Sequence, residues 1–173
     1  TNMIDDFLTS ITNQKGEKVA VGSKNTIALT TNGKVWTWGS NSFGELGIGE
    51  TKPYVDEPKE VTSLNNIKDI GAGYYHGIAV NESGEVFTWG LNNNGQLGDG
   101  SSTDSRVPVR VDTISNIVKV DANKYMSYAL DEDGIVYAWG EGYGDRPVKI
   151  ADNIIDISEN VMITNKREIM TID

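Results

Sequence analysis

The stretch GKVWTWGSNSFGELG, residues 33–47, returns as GEVFTWGLNNNGQLG at residues 84–98, and this pair decides the fold. A third, shorter version, GIVYAWGEGYGD, occupies residues 134–145. The Trp-Gly pairs Trp38-Gly39, Trp89-Gly90 and Trp139-Gly140 recur at intervals of 51 and 50 residues. Working outward, each is preceded by a second matching block: VAVGSKNTIALTTNG from Val19, IGAGYYHGIAVNESG from Ile70 and VDANKYMSYALDEDG from Val120. Each is followed by a proline and, three residues on, a β-branched residue: Pro58 with Val61, Pro108 with Val111, Pro147 with Ile150. The prolines are 50 and then 39 residues apart, so the third copy has a connection shortened by 11 residues. A fourth start, NIIDISENVMITNKREIMTID from Asn153, matches NIKDIGAG and NIVKVDAN but has no Trp-Gly.

Within one copy the pattern is that of short strands. Val86 and Thr88 fall on one face of EVFTWG, and Phe87 and Trp89 on the other, the two-residue period of a strand. Asn-Glu-Ser-Gly at 81–84 and Asp-Glu-Asp-Gly at 131–134 are hairpin turns whose glycine supplies a positive φ. Helical periodicity is weak throughout. Three to four strands per copy, marked by Gly and aromatic residues, predict an all-β chain of propeller blades. A blade cannot bury both faces alone and must stack on its neighbours. The columns Trp36/Phe87/Tyr137 and Trp38/Trp89/Trp139 are therefore read as blade-to-blade packing. Gly39, Gly90 and Gly140 are expected where a Cβ would obstruct a close approach. The units run over about 19–69, 70–119 and 120–156, with a degenerate one at 157–173, in a single domain, 1–173.

The compound pattern, Gly-x-Val-x-x-Trp-Gly, then Asn-x-x-Gly-x-Leu-Gly, then Pro-x-x-Val, closely resembles the regulator of chromosome condensation repeat. The likeness covers roughly residues 19–165. It implies a β-propeller, seven-bladed in the well-known members, with loops on two faces. It also implies protein binding: exchange factors for a small GTPase, partner-binding arms of larger proteins, and in bacteria secreted binders such as a β-lactamase inhibitor. With about 3.5 units the chain makes a partial propeller, either a piece of a larger one without independent function or a half completed by dimerisation. An open stack leaves strand edges that invite pairing with another chain.

The 173 residues suffice for one domain with a core. Gly is frequent, at 19, and Pro scarce, at 4, as tight turns between strands require. The net charge of −10 disfavours direct binding of nucleic acid and favours cationic partner surfaces. With no Cys, disulfides and thiol chemistry are excluded. No apolar run reaches membrane-spanning length, so membrane insertion is not expected. The chain opens at Thr1 without the basic and apolar stretches of a signal peptide, and reads as a processed or excised piece. The Asn/Thr/Asp-rich turns and missing Cys point to a bacterial, extracellular or cell-surface protein.

No catalytic, cofactor or metal set emerges. A single histidine without Cys cannot supply the three or four ligands of a zinc site. The acidic turns lack the twelve-residue spacing of a calcium loop. A hydrolase or lyase would need polar groups converging in a pocket, and no nucleophile–base–orienter set is recognisable. Partner-contact candidates are aromatics at loop positions that differ between copies. Tyr74 and Tyr75 replace Ser23 and Lys24 of the first unit and Lys124 and Tyr125 of the third. Tyr125, Tyr143 and Phe43, with Tyr54, are of the same kind. His76, in GYYHG, is placed with them, a local structural role being its alternative. The expectation is a non-enzymatic protein-interaction module whose partner is another protein; an inhibitor of an enzyme, or an exchange factor for a small GTPase, is the more specific form of it.

Overall fold

The computed structural model describes residues 18–172, and among them there is no helix. Fifteen strands form four antiparallel sheets, each a meander in chain order. The first comprises β1 (Lys18–Val21), β2 (Asn25–Leu29), β3 (Val35–Ser40) and β4 (Tyr54–Glu60). The second comprises β5 (Ile67–Ala72), β6 (His76–Asn81), β7 (Val86–Gly90) and β8 (Ser105–Arg110). The third comprises β9 (Ile117–Asn123), β10 (Met126–Asp131), β11 (Val136–Gly140) and β12 (Gly144–Ala151). The fourth has three strands, β13 (Ile154–Ser158), β14 (Val161–Thr164) and β15 (Ile169–Thr171). Its first strand starts three residues before the expected degenerate unit, on the Asn-Ile step that also opens β5 and β9. Asn66, Asn116 and Asn153 each precede such a strand with φ near 55°. Asn is among the few non-glycine residues that accept this left-handed conformation. The weak strand signal upstream of residue 18 lies outside the described residues.

The sheets stack through apolar seams. Ile27, Leu29, Val35 and Val61 of the first sheet meet Ile70, Ala79 and Trp89 of the second. Ile78, Val80, Val86 and Val111 of the second meet Val120, Ala129 and Trp139 of the third. Tyr128, Leu130 and Val136 of the third meet Ile157 and Met162 of the fourth. The tryptophans are keys to the seams. Trp89 is fully buried, and its indole N–H donates to the Glu45 carbonyl at 2.9 Å in the preceding blade. The ring lies so close over Gly47 that a Cβ there would be 2.9 Å from an indole carbon. Trp139 lies over Gly98 in the same way, and a Cβ there would be 2.7 Å from the indole nitrogen.

This explains the Asn-x-x-Gly-x-Leu-Gly element: it is the seat for the next blade's tryptophan. A buried asparagine holds each seat. The Asn92 amide donates to the carbonyls of Ser101 and Thr103, both at 3.0 Å, and its oxygen accepts from Leu97 N–H at 2.9 Å. Asn41 repeats this with Glu50, Lys52 and Leu46. Threonine hydroxyls close both seats, Thr37 on the Leu46 carbonyl at 2.8 Å and Thr88 on Leu97 at 2.7 Å. The third copy lacks the seat, because its shortened connection turns back at once into β12.

Candidate partner-binding surface

The first strands of the sheets, β1, β5, β9 and β13, lie side by side around a common groove of about 570 Å³. Its walls include Lys18, Val21, Tyr74, Lys119, Asp121 and Lys124. The turns that end β1, β5 and β9 form one rim, tied together through the backbone. Ser23 N–H donates to the Tyr74 carbonyl at 2.9 Å, and Tyr74 N–H to the Lys124 carbonyl at 2.9 Å. The same turns are held from behind by the Trp-Gly steps. Leu91 N–H donates to the Tyr75 carbonyl at 2.9 Å, and a Cβ on Gly90 (φ 106°) would lie 2.4 Å from that oxygen. The expected close approach is thus onto the rim itself.

On this frame the structure brings four of the aromatic candidates together. Tyr74 and Tyr125 stand edge to face with ring centres 5.5 Å apart, and Phe43 and Tyr75 do so at 5.1 Å. Tyr75 links the pairs, 6.3 Å from Tyr74 and 6.4 Å from Tyr125. Three sheets contribute: Phe43 from the β3–β4 connection, Tyr74 and Tyr75 from the β5–β6 turn, Tyr125 from the β9–β10 turn. Tyr74 is 41% exposed and the other three are half-buried. Phe43 is positioned by Glu45, whose carboxylate accepts the Phe43 N–H at 2.8 Å. Burial raises the Glu45 carboxyl above its ordinary value.

Tyr143 is not part of this cluster. It packs half-buried against the core shared by the third and fourth sheets, on a shortened connection that turns through a Tyr143 N–H to Gly140 carbonyl bond at 2.9 Å. Tyr54 is exposed at the start of β4. His76 requires a correction. Placed among the partner contacts from sequence, it is fully buried in the seam between the second and third sheets. Its Nε2 lies 2.9 Å from Ser127 Oγ, and that hydroxyl donates to the Gln96 carbonyl at 2.8 Å. Burial lowers the His76 pKa to about 4, so the ring is neutral near pH 7. The donated Ser127 proton leaves Nε2–H as the donor to the serine oxygen.

Sequence reasoning missed a second feature of the groove. Lys18, Asp69, Lys119 and Asp156 occupy one repeat position in the four sheets, with alternating charge. Lys18 meets Asp69 at 2.8 Å and Lys119 meets Asp156 at 2.6 Å. Asp69 also accepts Val120 N–H at 3.0 Å from the third sheet. Lys119 holds the Asp156 carboxyl below its ordinary value. Aligning the copies position by position would have exposed the alternation. Among the described residues no three His, Cys, Asp or Glu side chains are grouped to hold a metal ion.

Models of the regulator of chromosome condensation repeat match residues 32–80 and 83–130, and a second model of the same repeat matches 17–45 and 67–96. The chain belongs to the RCC1 repeat family. Human "Probable E3 ubiquitin-protein ligase HERC6" is 41% identical over 96 residues, 54% of this chain and 9% of that protein. Arabidopsis "Ultraviolet-B receptor UVR8" is 37% identical over 109 residues, 62% of this chain and 24% of the relative. The chain thus spans under a quarter of the length of these relatives. Yeast RCC1 (Prp20), solved bound to Kap60, superposes with a TM-score of 0.69 at 23% identity over 78% of this chain and 37% of that one. Human WBSCR16 does so with 0.75 at 17% identity, over 88% and 46%. The fold is a partial RCC1-type β-propeller, and its sheets are blades. The relatives named are human and plant proteins, so the bacterial origin expected from turn composition is not borne out.

Proposed function

We propose that this RCC1-repeat chain is a non-enzymatic protein-binding module whose partner docks on the rim formed by Phe43, Tyr74, Tyr75 and Tyr125. The observation that carries this reading is the convergence of four aromatic side chains from three blades on one accessible rim. The repeat does not require them. The first unit has Ser23 and Lys24 where the second has Tyr74 and Tyr75, and both units fold alike. Tyrosine is enriched where interfaces concentrate their energy, because a rigid apolar ring is buried while the hydroxyl stays bonded or wet. The adjoining groove offers a concave continuation with fixed charges.

The first partner class to test is a small GTPase. Prp20 from Saccharomyces cerevisiae, which shares the fold at 22% identity, is described with binding properties to Gsp1p and histones. A quantitative pull-down with the wild-type chain and a Tyr74→Ala/Tyr125→Ala double variant, against GTPase and β-lactamase panels and a lysate, tests the reading. A partner retained by the wild type and lost by a folded double variant supports it. A partner held equally by both places the binding surface elsewhere and refutes it.

A further inference from the structure

Three rings of the rim stand at the corners of a small triangle. The centres of Tyr74 and Tyr75 are 6.3 Å apart, those of Tyr75 and Tyr125 6.4 Å, and those of Tyr74 and Tyr125 5.5 Å. Tyr74 meets the other two at 68° and 85°, and Tyr75 and Tyr125 are tilted by 36°, so no two of the three are stacked flat. We propose that this trio binds a trimethylated lysine of a protein partner, with the quaternary ammonium seated over the three rings. The inference rests on the rim being the docking surface and adds the chemistry of what docks there.

The spacing fits one small cation. A triangle with these sides has a circumscribed radius of about 3.5 Å, so a cation about 3 Å above its centre lies about 4.6 Å from every ring centre. That is inside the roughly 6 Å over which an aromatic ring attracts a cation. Each ring adds to the attraction, and the gain grows as water is excluded. Tyr74 is 41% exposed while Tyr75 and Tyr125 are half-buried, which leaves the trio accessible yet partly desolvated.

The surroundings select the kind of cation. Glu45 is buried, and its carboxylate already accepts from Phe43 N–H at 2.8 Å and from the Ser40 hydroxyl at 3.3 Å. The exposed charges of the neighbouring turns, Lys24 and Lys124 against Glu141 and Glu159, balance one another. An unmethylated lysine is strongly hydrated and brings three N–H donors that the rings cannot satisfy. A guanidinium is flat, brings five donors, and suits stacking on a single plane. A trimethylammonium group has no N–H, is sheathed in methyl groups, and is round, which matches rings set at steep angles. The net charge of −10 draws a cationic segment towards the chain, and the trio then picks out the methylated side chain.

The probe is a peptide, acetyl-Gly-Gly-Lys-Gly-Gly-amide, carrying trimethyl-lysine, unmodified lysine or the neutral tert-butyl isostere of trimethyl-lysine, titrated into the 15N-labelled chain. Saturable shifts centred on the amides of Phe43, Tyr74, Tyr75 and Tyr125 are expected, with the N-methyl proton resonance of the peptide moving upfield under the ring currents. The lysine and tert-butyl peptides should each bind about tenfold more weakly, the worth of one desolvated cation–ring contact. Tyr125→Phe keeps the ring and should keep the affinity, whereas Tyr125→Ala should lose about tenfold. Tyr54→Ala, at an exposed tyrosine outside the trio, should change nothing. No saturable shift at 10 mM peptide, shifts centred elsewhere, or equal binding of the trimethyl-lysine and tert-butyl peptides would each overturn the inference. A partner captured by the wild type and lost by Tyr74→Ala/Tyr125→Ala, together with a trimethyl-lysine peptide that does not bind, overturns this inference alone and leaves the rim as the docking surface. A partner held equally by both chains overturns the docking surface, whatever the peptide does.

Discussion

His76 makes the stability of the chain depend on acidity in a way that can be worked through. Burial holds its folded pKa near 4 against an ordinary 6.5. Between those values the unfolded chain carries a proton that the folded chain refuses. A depressed histidine pKa therefore contributes nothing above the unfolded value, and stability falls as pH drops below 6.5 towards 4. The full penalty is roughly 3 kcal/mol, and at pH 5 about 2 kcal/mol, from 1.36 kcal/mol per pKa unit. The perturbation to compare is His76→Asn, since Asn25 stands at this place in the first blade and does not titrate. Urea unfolding of both proteins at pH 7.5 and pH 5 isolates the histidine, because the carboxylates are common to both. The wild type should lose about 2 kcal/mol more than the variant over this interval. Parallel curves would refute the reasoning. His76 is also the only histidine, so a single imidazole resonance reports its charge directly, and a midpoint near 6.5 in the folded chain would refute it independently.

Three further substitutions test the blade seams. Trp89→Ala empties the seat formed by Glu45 and Gly47 and should cost about 3–5 kcal/mol in chemical unfolding. Gly90→Ala places a Cβ 2.4 Å from the Tyr75 carbonyl at φ 106°, and should destabilise by more than the ordinary glycine-to-alanine difference of about 1 kcal/mol while disturbing the tyrosine rim in NMR spectra. Asn92→Ala leaves the carbonyls of Ser101 and Thr103 without their buried donor, so residues 92–104 should lose hydrogen-exchange protection and Trp139 fluorescence should shift.

The repeat made much of this legible. The all-β propeller fold, the packing of Trp89 and Trp139 and the glycine approaches follow from a 50-residue period combined with a two-residue one. The tyrosine rim was partly legible, because Tyr74, Tyr75, Tyr125 and Phe43 occupy positions the repeat leaves free. What sequence could not show was depth. Tyr75 and His76 are neighbours in the chain, yet one reaches the rim and the other enters the seam, since alternate residues at the start of a strand point oppositely. Tyr143 stands apart from the four clustered rings, on a shortened third connection that turns back at Gly140. The alternating Lys and Asp of the groove needed the copies compared by chemical type, not by identity.

The seam contacts have a property with its own consequence. Lys18 with Asp69 joins equivalent positions one 51-residue repeat apart, whereas His76 with Ser127 and Asp69 with Val120 each join a residue to the one just after its equivalent in the next blade. Each blade therefore meets its predecessor through positions at or beside the equivalent one. A duplication of residues 67–116 would insert a blade whose two faces already have complementary surfaces in the chain, and a deletion of that span would bring the first blade against the third. Lengthening or shortening such an array requires no new interface, only the copying of an old one, so the number of blades can drift in evolution while the seam that joins them stays fixed.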